Sequence, residues 1–306
     1  MRNNVSGIRN RTLIITGPTA SGKTGVAEKL AEILDGEIVS CDSRMIYRYL
    51  DIGTGKVFNS DEVAYHLIDI AHPEDTMSTY DLVKRAKDSL NDIYHRDKIP
   101  IICGGSHHIV ESILNGIDPG PDPSPSLRSR LRQEEKEMGE GHLHSLLKRT
   151  DPALASKVHP NNINRIIRYL ELALLDTQNE GIEPLDGTIM HFHFDRSINA
   201  LRERIESRYS KMIEIGWKEE VEKLSEMGIS PDMPGCSSIG YPEMFEHVQG
   251  KLDTEETKNM IIKATVELAR KQRKWKRRFS NFQIFYLDEI GSDRALDIIM
   301  KKMKEL

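Results

Sequence analysis

Gly17-Pro18-Thr19-Ala20-Ser21-Gly22-Lys23-Thr24 lies directly behind the apolar run Leu13-Ile14-Ile15. Ahead of it, Val26, Ala27, Leu30, Ile33 and Leu34 fall at helical spacing. The stretch satisfies G-x-x-x-x-G-K-[ST] in the strand, loop and helix setting the motif requires, where backbone N–H groups and a helix N-terminus converge on an anion. Lys23 adds a point charge, and the Thr24 hydroxyl adds a ligand for Mg2+. The spacing predicts polyphosphate binding. It leaves open what becomes of the phosphate, because kinases, ATPases, switches and group transferases share this cradle.

Outward from the loop, RTLIITG reads as a buried strand and GEIVSCDS as a second, ending at Asp42-Ser43. DLVKRAKDSLNDIYHRDK repeats the helical period, and IPIICGGS gives a third strand ending in glycines. Strands alternating with helices imply right-handed crossovers and a parallel sheet covered on both faces. A proline-rich stretch from Gly116 to Arg128 breaks the pattern and reads as a boundary. From Ser126 to about Leu185 the chain reads as wholly helical, with helix starts at Asp151-Pro152 and His159-Pro160. GTIMHFHFD alternates like a strand returning to the sheet; further helices follow, then a last strand FQIFYLD. The fold class is α/β, a P-loop NTPase-like parallel sheet with helices on both faces and a helical insertion. Residues 1–122 and 186–306 would form the core and 123–185 the insertion.

Hydrophobic residues make up 38% and charged residues 30% of the chain, with a formal net charge of −5. That is ordinary for a globular protein and supplies no global basic field drawing it onto nucleic acid; such binding needs a local patch. The basic N-terminus MRNNVSGIRNR is not followed by a signal-like apolar stretch, and no run is long enough to cross a membrane. Cys41, Cys103 and Cys236 are far apart and form no C-x-x-C pair, which suits a reducing, cytoplasmic setting. His107-His108, His142-x-His144 and His191-x-His193 lack the companions of a zinc site, so no metal is assigned to them.

Several residues sit where chemistry would be done. Ligands of open α/β sheets gather at the carboxyl ends of strands, where Asp42 and Gly104-Gly105-Ser106 both fall. Asp42 also suits a simple Asx turn, and the glycines a tight turn. Arg270, Lys271, Arg273, Lys274, Lys276, Arg277 and Arg278 crowd one helix whose inner face is Leu268, Gln272, Trp275 and Phe279. Such a run is usually a solvated face, but its density favours contact with a polyanion. Arg165 and Arg168, one turn apart, would present two guanidinium groups from one side of the insertion. Three readings follow from these residues. One is a kinase with Arg128, Arg130 and Arg132 on a lid. Another is a nucleotide-driven switch, for which Asp69 is a weak acidic partner. The third is a transferase whose loop holds a diphosphate leaving group. Spacing does not separate the kinase from the transferase.

The blocks GPTASGKT, CDSRMIYRYLDIGTGK, YHLIDI, PIICGGS, DPALASKVHPNNINRIIRYLEL, SSIGYPEM and ATVELARKQRKWKRR occur in the order found in adenine isopentenyltransferases, and over nearly the whole chain the sequence resembles that family. The resemblance implies that the loop holds the diphosphate of dimethylallyl diphosphate and that the five-carbon group moves to the N6 amine of an adenine. Asp42 matches the family's base. Lys23 and a Mg2+ at Thr24 would stabilise the leaving charge, and Ser106 matches a position usually threonine in the tRNA enzymes. The implied binding set comprises Gly17, Thr19, Ala20, Ser21, Gly22, Lys23, Thr24, Ser43, Arg44, Met45, Arg165, Arg168, Lys271 and Gln272. The acceptor side departs from the tRNA enzymes. Gly104-Gly105-Ser106-His107-His108-Ile109 replaces G-G-T-G-L-Y, and Ile239-Gly240-Tyr241-Pro242-Glu243 is close to the I-G-V-P-E of adenylate enzymes. Ser237 and Val266 stand where many members carry arginine, and the zinc finger of eukaryotic tRNA enzymes is absent. These departures lead to an expected free adenine nucleotide such as AMP as acceptor, with tRNA as the alternative, and a monomeric enzyme.

Overall fold

In the computed structural model, which describes residues 11–56, 63–122, 124–175 and 180–305, the chain forms two compact units. The first comprises residues 1–115 and 184–306, the second residues 116–183. The basic N-terminal stretch 1–10 lies outside the described residues.

The first unit begins with β1 (Arg11–Thr16), buried at every position, as its unbroken apolar run requires of a strand covered on both faces. The chain turns through the glycine-bounded loop into α1 (Lys23–Leu34). Gly22 stands at its N-cap with φ 98°, a left-handed conformation that glycine adopts without steric cost. Val26, Ala27, Leu30 and Ala31 are the buried face of α1, while Ile33, expected on the same face, is exposed. β2 (Gly36–Ser40), β3 (Tyr65–His66), α2 (Thr79–His95), β4 (Ile99–Gly104) and α3 (His107–Asn115) follow. A capping box between Ser78 and Asp81 starts α2. β3 escapes a periodicity reading because only two residues pair with Ile38 and Val39.

The second unit holds α4 (Pro125–Met138), α5 (His142–Thr150), α6 (Pro152–Ala155) and α7 (Ile163–Leu174). Leu131, Leu143, Leu147, Ile166, Ile167 and Leu170 form its core. Asp151 caps α6 as its Asp-Pro step suggests, but α7 is capped by Asn162, a turn beyond His159-Pro160. The expected helix to Leu185 ends at Leu174; beyond residues 176–179, which lie outside the described set, Ile182 bridges Ile117 in extended form. Gly181 and Pro184 disfavour continuing a helix there. Glu171, with no exposed surface, accepts from Arg128 Nε (2.7 Å), Arg168 Nη1 (3.1 Å) and the Ser124 amide (3.0 Å). Burial works to raise its pKa, but these partners outweigh burial and hold it below the usual carboxylate range.

Back in the first unit, β5 (Thr188–Asp195) is followed by α8 (Ile198–Glu214), α9 (Trp217–Glu226), α10 (Tyr241–Val248) and α11 (Thr254–Trp275). β6 (Gln283–Tyr286) and α12 (Leu287–Glu305), kinked at Gly291, close the unit. Leu287, expected in the last strand, opens α12 instead. The described strands of this sheet pair in parallel, in the order β3-β2-β4-β1-β5-β6. α1 and α12 pack with Leu13, Ile15, Ile38, Ile101, Phe192 and Phe285 on one face of the sheet. α2 packs on β2 and β4, with α3 against it, away from that cluster. Every strand therefore points its carboxyl end to one edge, and the loop, Asp42, Gly104–Ser106 and Asp195 all emerge there.

Candidate active site

The loop after β1 is held open by groups from distant elements. Gln272 of α11 accepts from the Thr19 amide (2.7 Å) and donates to Gly105 O (3.0 Å), so one side-chain amide ties the loop to the turn after β4. Arg196 Nε donates to Ser21 O (2.8 Å) and Arg204 Nε to Ala20 O (2.7 Å). Within the loop the Ser21 amide donates to Pro18 O (3.2 Å), which leaves the amides at the start of α1 to face a ligand. Ala20 has φ 62°, a left-handed angle uncommon outside glycine. No side chain caps the α1 N-terminus, and the buried Ser21 Oγ has no hydrogen-bond partner. A loop of orphaned donors at a helix N-terminus is an anion cradle. Burial draws the Lys23 ammonium below its ordinary value, while Cys103 and Asp42 pull the other way.

Asp42 Oδ1 accepts from the Arg44 amide (2.9 Å), so the Asx turn is present and fixes the carboxylate in place. Ser106 Oγ accepts from the Ser43 amide (3.2 Å) and its own amide donates to Cys41 O (3.1 Å), joining the ends of β2 and β4. Arg44 reaches Ser237 Oγ (3.1 Å), and Met45 Sδ accepts from Ser40 Oγ (3.8 Å). Thr19, Lys23, Thr24, Asp42, Ser106 and Lys271 line a single cavity of about 610 Å³, as do Ser43, Arg44, Met45 and Gln272.

A family model described as IPP transferase matches residues 45–279, which is most of the chain. The chain belongs to the IPP transferase family. It is 34% identical to a tRNA dimethylallyltransferase of Caldicellulosiruptor saccharolyticus, over 94% of this chain and 95% of that one. It is 36% identical to one from Pseudothermotoga lettingae, over 94% of each. Among solved structures it resembles the tRNA isopentenylpyrophosphate transferase of Bacillus halodurans, with a TM-score of 0.69 and 30% identity over 97% of each chain. This IPP transferase is an enzyme, a prenyltransferase.

Sequence reasoning missed the arginines of the segment after β5. Arg208 donates to Thr19 Oγ1 (3.4 Å) and Thr54 O (3.1 Å), lines the cavity, and has its pKa lowered by burial against the pull of Asp42. Spaced at 196, 204 and 208, these residues read from sequence as ordinary solvated charges. The basic run on α11 is in turn less free than it reads. Asp195, wholly buried, takes Arg273 (2.7 Å) and Lys276 (2.7 Å), and Arg278 pairs with Glu111 (3.1 Å) and lies over Trp275. Arg270, Lys271, Lys274 and Arg277 stay exposed.

In the second unit, Arg165 lies over the Tyr169 ring and is exposed, whereas Arg168 donates to Pro119 O (2.6 Å) and Pro121 O (2.8 Å). The expected pair of outward guanidinium groups is thus reduced to Arg165, because Arg168 pins the proline-rich turn.

His107, His191 and His193 form a buried cluster. Thr16 Oγ1 lies 2.8 Å from His191 Nε2 and 3.0 Å from His193 Nδ1. His107 packs against His193, Trp275 and Phe279. Among the described residues no group of three His, Cys, Asp or Glu side chains is arranged to hold a metal, and no helix is long and apolar enough to cross a membrane.

Proposed function

We propose that this enzyme transfers a dimethylallyl group from dimethylallyl diphosphate to the N6 amine of an adenosine in tRNA. The observation that carries the chemistry is the meeting of Lys23, Thr24, Asp42 and Ser106 around one cavity beside an anion cradle. The acceptor reading rests on relatives named tRNA dimethylallyltransferase along nearly the whole chain. The free nucleotide expected from Ser106–Ile109 and Ile239–Glu243 finds no counterpart among those relatives, so tRNA replaces it as the acceptor.

An adenine N6 amine is a poor nucleophile because its lone pair is delocalised into the ring. In this reading Asp42, oriented by the Arg44 amide, takes the amine proton as the N6–C1 bond forms and the C1–O bond breaks. Ser106 orients the reacting groups from the β4 side. The departing diphosphate gathers charge against the loop amides, Lys23 and Arg208, donors already fixed by Gln272, Arg196 and Arg204. The half-buried Thr24 hydroxyl that lines the cavity is a hard oxygen donor that fits Mg2+, which keeps most of its waters and needs only one or two protein oxygens. Thr24 would hold it, and when bound it supplies positive charge to the diphosphate oxygens. The exposed cations of α11, and Arg165 on the insertion, would meet RNA phosphates.

Incubation with labelled dimethylallyl diphosphate and either unmodified tRNA or AMP tests the reading. Label is expected in tRNA; label in AMP alone would restore the free-nucleotide acceptor.

A further inference from the structure

The cavity continues past the groups that the transfer step uses. Ile205, Arg208, Tyr209 and Met212 of α8 all line it, at a spacing that places them on one helix face. Arg208 spans from the phosphate loop to Thr54. Next to Thr54, Gly53 lies so close to the Trp217 indole that a Cβ there would come within 3.0 Å of it, and the same holds at Gly240. Trp217 is 1% exposed and meets the Tyr209 and Tyr241 rings edge-on, at 6.3 and 5.8 Å. Tyr241 donates to Glu220 (2.7 Å), whose other oxygen takes the amides of Asp51 and Ile52. The indole is wedged between two backbones and two rings and has no room to swing aside.

We propose that Trp217 is the end wall for the donor's alkyl chain and restricts this enzyme to a five-carbon group. This rests on the loop being the diphosphate site. With the diphosphate against the loop and Arg208, the chain leads from C1 along the α8 face, where Ile205, Met212, Ile261, Leu268 and the indole offer an apolar lining. A ten-carbon chain would have to push the indole into closely packed backbone.

The test compares dimethylallyl with geranyl diphosphate on unmodified tRNA, using the parent and the variants Trp217→Leu, Trp217→Ala and Gly53→Ala. The two Trp217 variants should raise the geranyl-to-dimethylallyl ratio of kcat/KM by about tenfold or more, the usual worth of added hydrocarbon space in a pocket. Gly53→Ala, which drives the indole inward, should lower kcat/KM for the dimethylallyl donor without admitting geranyl. An unchanged donor ratio in Trp217 variants that still prenylate removes the wall and leaves the donor reading standing. If neither Trp217 variant folds, parent-like kinetics in Gly53→Ala removes it instead. A parent that makes no prenylated tRNA from dimethylallyl diphosphate removes both.

Discussion

At the level of single residues, the site depends on side chains that do two things at once. Asp42 closes a turn through Oδ1 and also lines the cavity, so its substitution separates placement from chemistry. Asp42→Asn keeps the Oδ1 contact with the Arg44 amide but cannot take a proton. Turnover should fall about a hundredfold to ten-thousandfold, while donor binding, measured by calorimetry, stays near that of the parent. Retention of more than a third of turnover would remove Asp42 as the base. Gln272 joins two loops through one amide, donating with one end and accepting with the other. Gln272→Ala removes both bonds, each worth about 1 kcal/mol. The expected result is a donor KM raised about tenfold, with a smaller change in kcat. An equal fall in kcat with KM unchanged would show that the tether matters only in the transition state.

At the level of elements, α11 and the 3-10 turn that follows it (Lys276–Arg278) divide their charges between two tasks. Arg273 and Lys276 turn inward onto Asp195, and Arg270, Lys271, Lys274 and Arg277 face solvent. Burial alone would raise the Asp195 pKa, but Arg273 and Lys276 overcome it and hold the carboxyl below its ordinary range. Asp195→Ala leaves two cations facing a buried gap, and chemical denaturation should show a loss of about 3 kcal/mol. Charge reversal at Lys274 and Arg277 should leave stability unchanged and weaken tRNA binding, lowering the slope of log affinity against log salt by about 2. A slope equal to the parent's would mean that RNA does not touch this face. The loop, β1, β2 and β4 were legible in the sequence because apolar runs and glycine punctuation leave few alternatives, and β5 because its residues alternate. What the sequence hid was long-range pairing. Arg168 looks identical to Arg165 until Pro119 and Pro121 turn their carbonyls toward it. Arg208 becomes a site residue only because α8 runs beside the loop. β3 has too few residues to show a period, and Leu287 reads as strand although the helix has begun there and the next residue, Asp288, already accepts from the distant Ser197 amide.

At the level of the whole molecule, the three buried imidazoles set an acid limit. Burial holds His107 and His191 down at about 4 and His193 at about 3, with Lys23 adding to the effect on His107 and His107 adding to that on the other two. An unfolded chain takes up these protons as pH falls through about 6.5, whereas the native protein takes them up only near 4 and below. Stability is therefore whole above pH 6.5 and drains away as pH falls toward 4, by up to about 3 kcal/mol for each imidazole. Glu37, kept at about 2 chiefly by its bonds with Arg96, adds a loss of the same sign below about 4.5. Thermal melts from pH 7 to 4 should show the fall, and His191→Phe should make it shallower. A flat Tm across that range would place these rings in contact with solvent.

The position of β1 has a consequence for how the chain reaches this structure. It lies between β4 and β5, and Leu13 is paired with Met190 across the whole of the insertion. During synthesis the first strand can gain its β4 neighbour once residue 104 is free of the ribosome, but its other edge waits for residues 188–195. Closing so long a loop makes such pairings slow to form. A nascent chain thus carries an unpaired, apolar strand edge for the time taken to make the second unit. That interval, rather than the finished fold, is where aggregation threatens this protein and where a chaperone would act.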